Sequence, residues 1–174
     1  STFCKKISLL TMIGENKEYL SLIKKKLPKN VNLNYLKKKN SPTIVKKRFL
    51  DNLSKNKVLG VYSINDDNLD LKEELTLSNK LKKIIPLYDL VIVSDYGHGF
   101  ISYKSANLIS KKSKFLALNA QVNAANIGYH SMRNYKNADC VIINEKEIRH
   151  ELRDKNSKIE GLMKKLSQEQ KLKN

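Results

Sequence analysis

The chain has 174 residues, 40% of them hydrophobic and 7% aromatic, and its 34 Lys and Arg against 17 Asp and Glu give a net charge of +17. That apolar content excludes a disordered polyelectrolyte, and the length predicts one domain with a buried core. The longest nearly apolar stretch, residues 84–93, is broken by Pro86 and Asp89 and falls short of the roughly 20 residues that cross a bilayer, so no membrane partner is expected.

Residues 7–13 form a short apolar run closed by Gly14, the pattern of a buried strand. Asn16 is placed to cap a helix in which Tyr19, Leu20, Ile23 and Leu27 recur at helical spacing, and Pro28 ends it. Val31, Leu33 and Tyr35 alternate with polar residues, and strands at 44–45 and 58–62 flank a polar turn at 51–56, so residues 31–64 read as a small β element. A second helix is predicted over 69–85, halted by Pro86.

From there strands at 90–93, 115–118 and 140–143 alternate with helices at 103–112 and 127–135, and a long helix follows the last strand. Such alternation predicts an α/β fold with a mostly parallel sheet and flanking helices. The chain ends where another strand is due, which reads as a fold cut short.

The charge is unevenly spread. Of the cations, 30 are Lys and 4 are Arg, beside 19 Asn, a skew that resembles the codon bias of an AT-rich genome. Lys is the poorer bidentate partner for phosphate and guanine, so nucleic acid is disfavoured as a partner. Residues 24–48 nevertheless hold ten cations and no acid. The first residues lack a signal-peptide core, and Cys4 and Cys140 lie too far apart for a local metal knuckle, which together predict a reducing, cytoplasmic setting.

In open parallel sheets ligands bind beyond the carboxyl ends of the strands, which singles out three junctions. In Ser94-Asp95-Tyr96-Gly97-His98-Gly99, the glycines permit close backbone approach and Asp95 can accept from hydroxyls; the plain alternative is a strand-to-helix turn. The segment from Asn119 to Asn126 gathers amide side chains suited to sugar hydroxyls, or simply to turns. In Asn144-Glu145-Lys146-Glu147, Glu147 can hold a hydrated Mg²⁺ near a helix start, or Asn144 and Glu147 can form a capping box. His98, His130 and His150 are dispersed, and no zincin, P-loop or nucleophile-elbow motif occurs.

In order, these junctions resemble the ribokinase-like (PfkB) carbohydrate kinases, and most closely the sugar-kinase part of bifunctional heptose kinase/nucleotidyltransferase-type proteins. The resemblance is carried by residues 7–15, 41–49, 91–99, 118–121 and 138–147. It implies a single ribokinase-like domain over residues 1–174 with a β lid at about 31–64, and ATP-dependent phosphoryl transfer to a hydroxyl of a sugar or sugar phosphate. It further implies Lys47, Arg48, Asp95, Gly97, Gly99 and Asn119 as substrate-binding residues, and Asn144 and Glu147 as the Asn-x-x-Glu motif for ATP and Mg²⁺, with Glu147 the metal-associated group. A homodimer through the lid is also expected.

The match covers the middle of such a kinase. The family's Gly-Ala-Gly-Asp segment, with its anion hole and catalytic base, has no counterpart, since no glycine follows Gly161. The glycine-rich sugar motif that normally precedes the first strand is missing too. A base typically contributes about 10²- to 10⁴-fold, so the polypeptide alone is expected to be a poor kinase or none. The competing reading is a non-catalytic basic module that binds nucleic acid or another anionic partner on a kinase-like scaffold.

Overall fold

The structure is a computed structural model that describes residues 3–121 and 130–171. It is a mixed α/β protein with small parallel sheets and flanking helices. The chain divides into two compact units, Ser1–Asp67 and Asn68–Asn174.

The first unit opens with β1 (Ile7–Gly14), α1 (Leu20–Lys26) and β2 (Val31–Lys38). β1 and β2 pair in parallel from Ile7 opposite Val31 to Gly14 opposite Lys38. Val31–Lys38 therefore belongs to a parallel pair with β1, while the antiparallel element is confined to β3 (Val45–Leu50) and β4 (Lys57–Ser63). Asp51 shapes the hairpin turn by accepting from the backbone N–H groups of Leu53 and Ser54 at 3.0 and 2.6 Å.

Asn16 is not the cap of α1. The N-cap is Tyr19, whose left-handed backbone (φ 64°) makes no side-chain cap, so the helix begins only at Leu20. Glycine is required at position 14, where a Cβ would stand 2.2 Å from the Thr43 nitrogen and 2.4 Å from the Pro42 carbonyl carbon. The Gly14 N–H donates to Thr43 Oγ1 at 3.0 Å, and Glu15 N–H donates to the Ser41 carbonyl at 3.0 Å. The segment after β2 is thereby laid across the carboxyl end of β1.

In the second unit, α2 (Leu71–Ile84) starts at a capping box formed by Asp70 and Glu73. β5 (Val91–Asp95), β6 (Leu116–Ala120) and β7 (Cys140–Val141) form a parallel sheet in that spatial order, with α3 (Tyr103–Lys112) between β5 and β6. β6 is central and reads as a nearly continuous buried run, as a strand between two neighbours should. β5 instead alternates, with Val93 and Asp95 buried and Ile92 70% exposed. Leu77, Leu81, Ala106, Ile109, Leu116, Leu118, Met132 and Ile148 build the core.

Two expected helices take other forms. The described part of the predicted helix at 127–135 is a single 3₁₀ turn, Met132–Asn134, while residues 122–129 lie outside the described set. The long final helix is two, α4 (Glu145–Leu152) and α5 (Ile159–Gln170). The break falls at Arg153, which caps α4 in a left-handed conformation, and Arg149 secures the connection by donating to the carbonyls of Lys155 and Ser157 at 3.0 and 2.9 Å. Among the described residues no helix is long and apolar enough to cross a membrane.

Candidate functional site

Parallel pairing brings the ends of β5, β6 and β7 to one sheet edge, where Asp95 stands opposite Ala120 and Ser94 opposite Asn119. Asp95 is the last residue of β5 and only 6% exposed. One carboxylate oxygen, Oδ1, accepts from the Gly97 N–H at 3.0 Å, and the other accepts from the Tyr135 hydroxyl at 2.6 Å. His130 Nε2, itself buried and without a hydrogen-bond partner among the described residues, stands 3.8 Å from Oδ2. A carboxylate has about four acceptor positions, so Asp95 keeps capacity for a ligand hydroxyl.

Gly97 and Gly99 both have positive φ, 65° and 73°, which a residue with a Cβ rarely adopts. The loop after β5 is therefore a tight one, drawn back on Asp95, with the rings of Tyr96 and His98 stacked at 6.4 Å between centroids. Tyr135 is fully buried, and burial first, then the Asp95 charge and hydrogen bond, push its phenol far above the usual range. It acts as a permanent donor that holds the carboxylate.

Asn119 uses its side-chain amide to donate to the Ile142 carbonyl at 2.8 Å, which ties the end of β6 to the residue just past β7. Asn144 caps α4: its Oδ1 accepts from the Glu147 N–H at 2.9 Å, and Glu147 Oε2 accepts from the Asn144 N–H at 3.1 Å. Both halves of the capping box are thus formed, and Glu147 is 6% exposed. Next to it in α4, Glu151 accepts from the Ser131 hydroxyl at 2.7 Å, so residues 131–135 are held to both α4 and the tip of β5.

The chemistry of a Mg²⁺ site can be tested on these donors. Among the described residues no group of three or more His, Cys, Asp or Glu is placed to hold a metal. A self-sufficient metal cage does not fit. Glu147 offers a single carboxylate, 6% exposed and with Oε2 already accepting from the Asn144 N–H, so it would serve at most as one ligand of a Mg²⁺ carried largely by phosphates and water.

Lys47 and Arg48 lie in the first unit, on β3. Lys47 pairs with Val61 and borders an open cleft of about 350 Å³ lined also by Glu18, Tyr19, Thr43, Val45 and Val61. Arg48 pairs with Gly60 and, being the next residue along the strand, points from the other face. The two cations are adjacent in sequence but do not converge.

Glu18, at the cleft wall, is held below the usual carboxylate range, first by its own backbone N–H and then by Thr43. Thr43 donates its hydroxyl to the Glu18 carbonyl at 3.0 Å, with Glu18 Oε2 3.2 Å away. Glu18 and Tyr135 belong to no sequence motif, and His130 stands in the sequence only as one of three dispersed histidines. Glu18 and Thr43 meet across 25 residues, and Tyr135 and Asp95 across 40, separations for which no local pattern gives a signal.

Comparison of the sequence with protein-family models and with curated proteins gives no match.

Proposed function

We propose that the chain is a ribokinase-like part of a carbohydrate kinase, binding a sugar or sugar phosphate and Mg²⁺-associated ATP. The observation that supports this reading most is the gathering of Asp95, the Gly97–Gly99 loop, Asn119 and the Asn144–Glu147 pair at the carboxyl edge of one parallel sheet. Such an edge is where α/β sheets take ligands.

In this reading Asp95, oriented by Tyr135 and Gly97, accepts from a sugar hydroxyl, and the two glycines let the backbone approach the ring. Glu147 supplies negative charge to a hydrated Mg²⁺, whose role when bound is to neutralise phosphate charge. Within the first unit, Lys47 lends positive charge to the cleft lined also by Glu18, Tyr19 and Thr43. The reading assigns no catalytic base within the chain. It also keeps the pairing of two copies through the β3–β4 hairpin, whose Phe49, Leu59 and Val61 are about half exposed.

The test is calorimetric binding of ATP with and without Mg²⁺ to the wild-type chain and to Glu147→Gln. Gln at this helix position also completes a capping box, so the variant removes charge and spares the fold. Mg²⁺-dependent ATP binding that weakens about tenfold, about 1.4 kcal/mol, in Glu147→Gln supports the reading. No nucleotide binding by the wild-type chain, or equal binding by the variant, overturns it.

A further inference from the structure

The face of the β3–β4 hairpin opposite Lys47 has its own organisation, independent of the kinase reading. Gly60 lies at its centre: the Tyr62 hydroxyl and the Lys57 Cε fold over it, 2.8 and 3.0 Å from where a Cβ would be. Arg48 is directly across the ladder from Gly60, and Lys46 is directly across from Tyr62. Lys57 Nζ donates to Tyr62 Oη at 3.1 Å and lies 5.7 Å from the ring centroid. Because Lys57 donates to this oxygen, the phenol's own proton is directed elsewhere. Tyr62 also borders the cleft, yet its ring turns to the Gly60 side.

Lys57 thus reaches the Tyr62 hydroxyl itself, and Lys46 and Arg48 stand across the ladder on the same face. No acid occurs in either strand; Asp51, the residue after β3, is engaged by the turn amides of Leu53 and Ser54, and Glu18, which lines the cleft that Tyr62 also borders, is engaged by Thr43. The positive field is felt at the phenol, which ionises below its usual range, chiefly through Lys57 and to a lesser degree through Arg48 and Lys46. A point where charges converge suits a compact dianion. Arg offers a planar fork to two phosphate oxygens and Lys a point charge.

We propose that Lys46, Arg48, Lys57 and Tyr62 form a binding site for a phosphoryl dianion, free or as a monoester, on the Gly60 face of the hairpin. Arg48 takes two oxygens, the lysines neutralise the charge, and Tyr62 donates its O–H. Glycine at position 60 is what makes room for the phenol and the Lys57 chain to lie together.

The experiment is a titration of the full chain with inorganic phosphate and, in parallel, glycerol phosphate at low ionic strength, read by calorimetry and by the NMR titration of the Tyr62 ring. Saturable one-to-one binding is expected, with the Tyr62 ionisation moving upward when the dianion is bound. Arg48→Ala and Lys57→Met weaken it at least about tenfold, and Arg48→Lys weakens it less. Glycerol phosphate binding about tenfold tighter than phosphate identifies a monoester as the occupant, and equal affinities identify the free ion. If nothing saturates, if Tyr62 does not respond, or if Lys47→Ala abolishes binding and Arg48→Ala does not, the proposal is overturned.

Discussion

The Tyr135 hydroxyl donates a 2.6 Å hydrogen bond to Asp95 Oδ2, joining the tip of β5 to a segment 40 residues later, with both groups buried. The bond makes the carboxylate a fixed feature of the sheet edge, because the fully buried Tyr135 hydroxyl holds one of its oxygens in place. Replacing Tyr135 with Phe leaves a buried carboxylate oxygen without its donor and is expected to cost about 1–3 kcal/mol in urea unfolding.

The same pair sets a response to alkali. Tyr135 keeps its proton in the folded protein at pH values where the unfolded chain, with an ordinary phenol near pH 10, loses it. Its contribution is fully present below about pH 10 and is lost as pH rises further, by about 1.4 kcal/mol per unit. Wild-type stability relative to Tyr135→Phe should therefore decline over that range. Equal pH dependence of the two proteins would contradict the assignment.

Gly14→Ala is expected to destabilise the first unit, since the added methyl meets the backbone of Thr43 and Pro42 rather than a side chain that can move. Overpacking of this kind costs about 1–3 kcal/mol. Loss of hydrogen-exchange protection in β1 with β5 and β6 unchanged is the expected readout.

Lys38 is 4% exposed and its ammonium donates to the carbonyls of Asn65 and Asp67. Lys38→Met retains the stem and strands those acceptors, at a cost of about 1–3 kcal/mol. Faster proteolysis at residues 65–67 checks it; an unchanged digestion pattern would show that the bonds are dispensable.

Asn144→Ala removes the side-chain cap of α4 and should lower stability by about 1 kcal/mol. Asn144→Asp, which keeps an acceptor at the cap, should retain most of it. Thermal unfolding of the two variants separates a capping role from a general intolerance of change.

Much of the local structure was legible from residue order. The strand at the start, the helices ended by Pro28 and Pro86, the strands that begin near residues 91, 116 and 140, the helix at 103–112 and the capping pair of Asn144 and Glu147 all follow from short-range rules. Other local readings went astray for identifiable reasons. Asn16 has the chemistry of a cap, but the turn through Lys17 and Tyr19, both with positive φ, delays the helix past it. The alternation in β2 is the same whether the strand pairs with β1 or with a hairpin, because periodicity reports a face and not a partner.

What the sequence determined by itself is therefore the class of fold, the punctuation of its elements and the concentration of charge between Lys24 and Arg48. Tertiary structure alone decided which groups act together. Asp95 acquires Tyr135 and His130 as neighbours, Glu18 acquires Thr43, and Lys47 and Arg48, inseparable in sequence, are assigned to different faces. The reason is physical: hydrogen bonding and burial are properties of position in space, and a chain that folds back through parallel crossovers brings together residues whose separation carries no periodic signature.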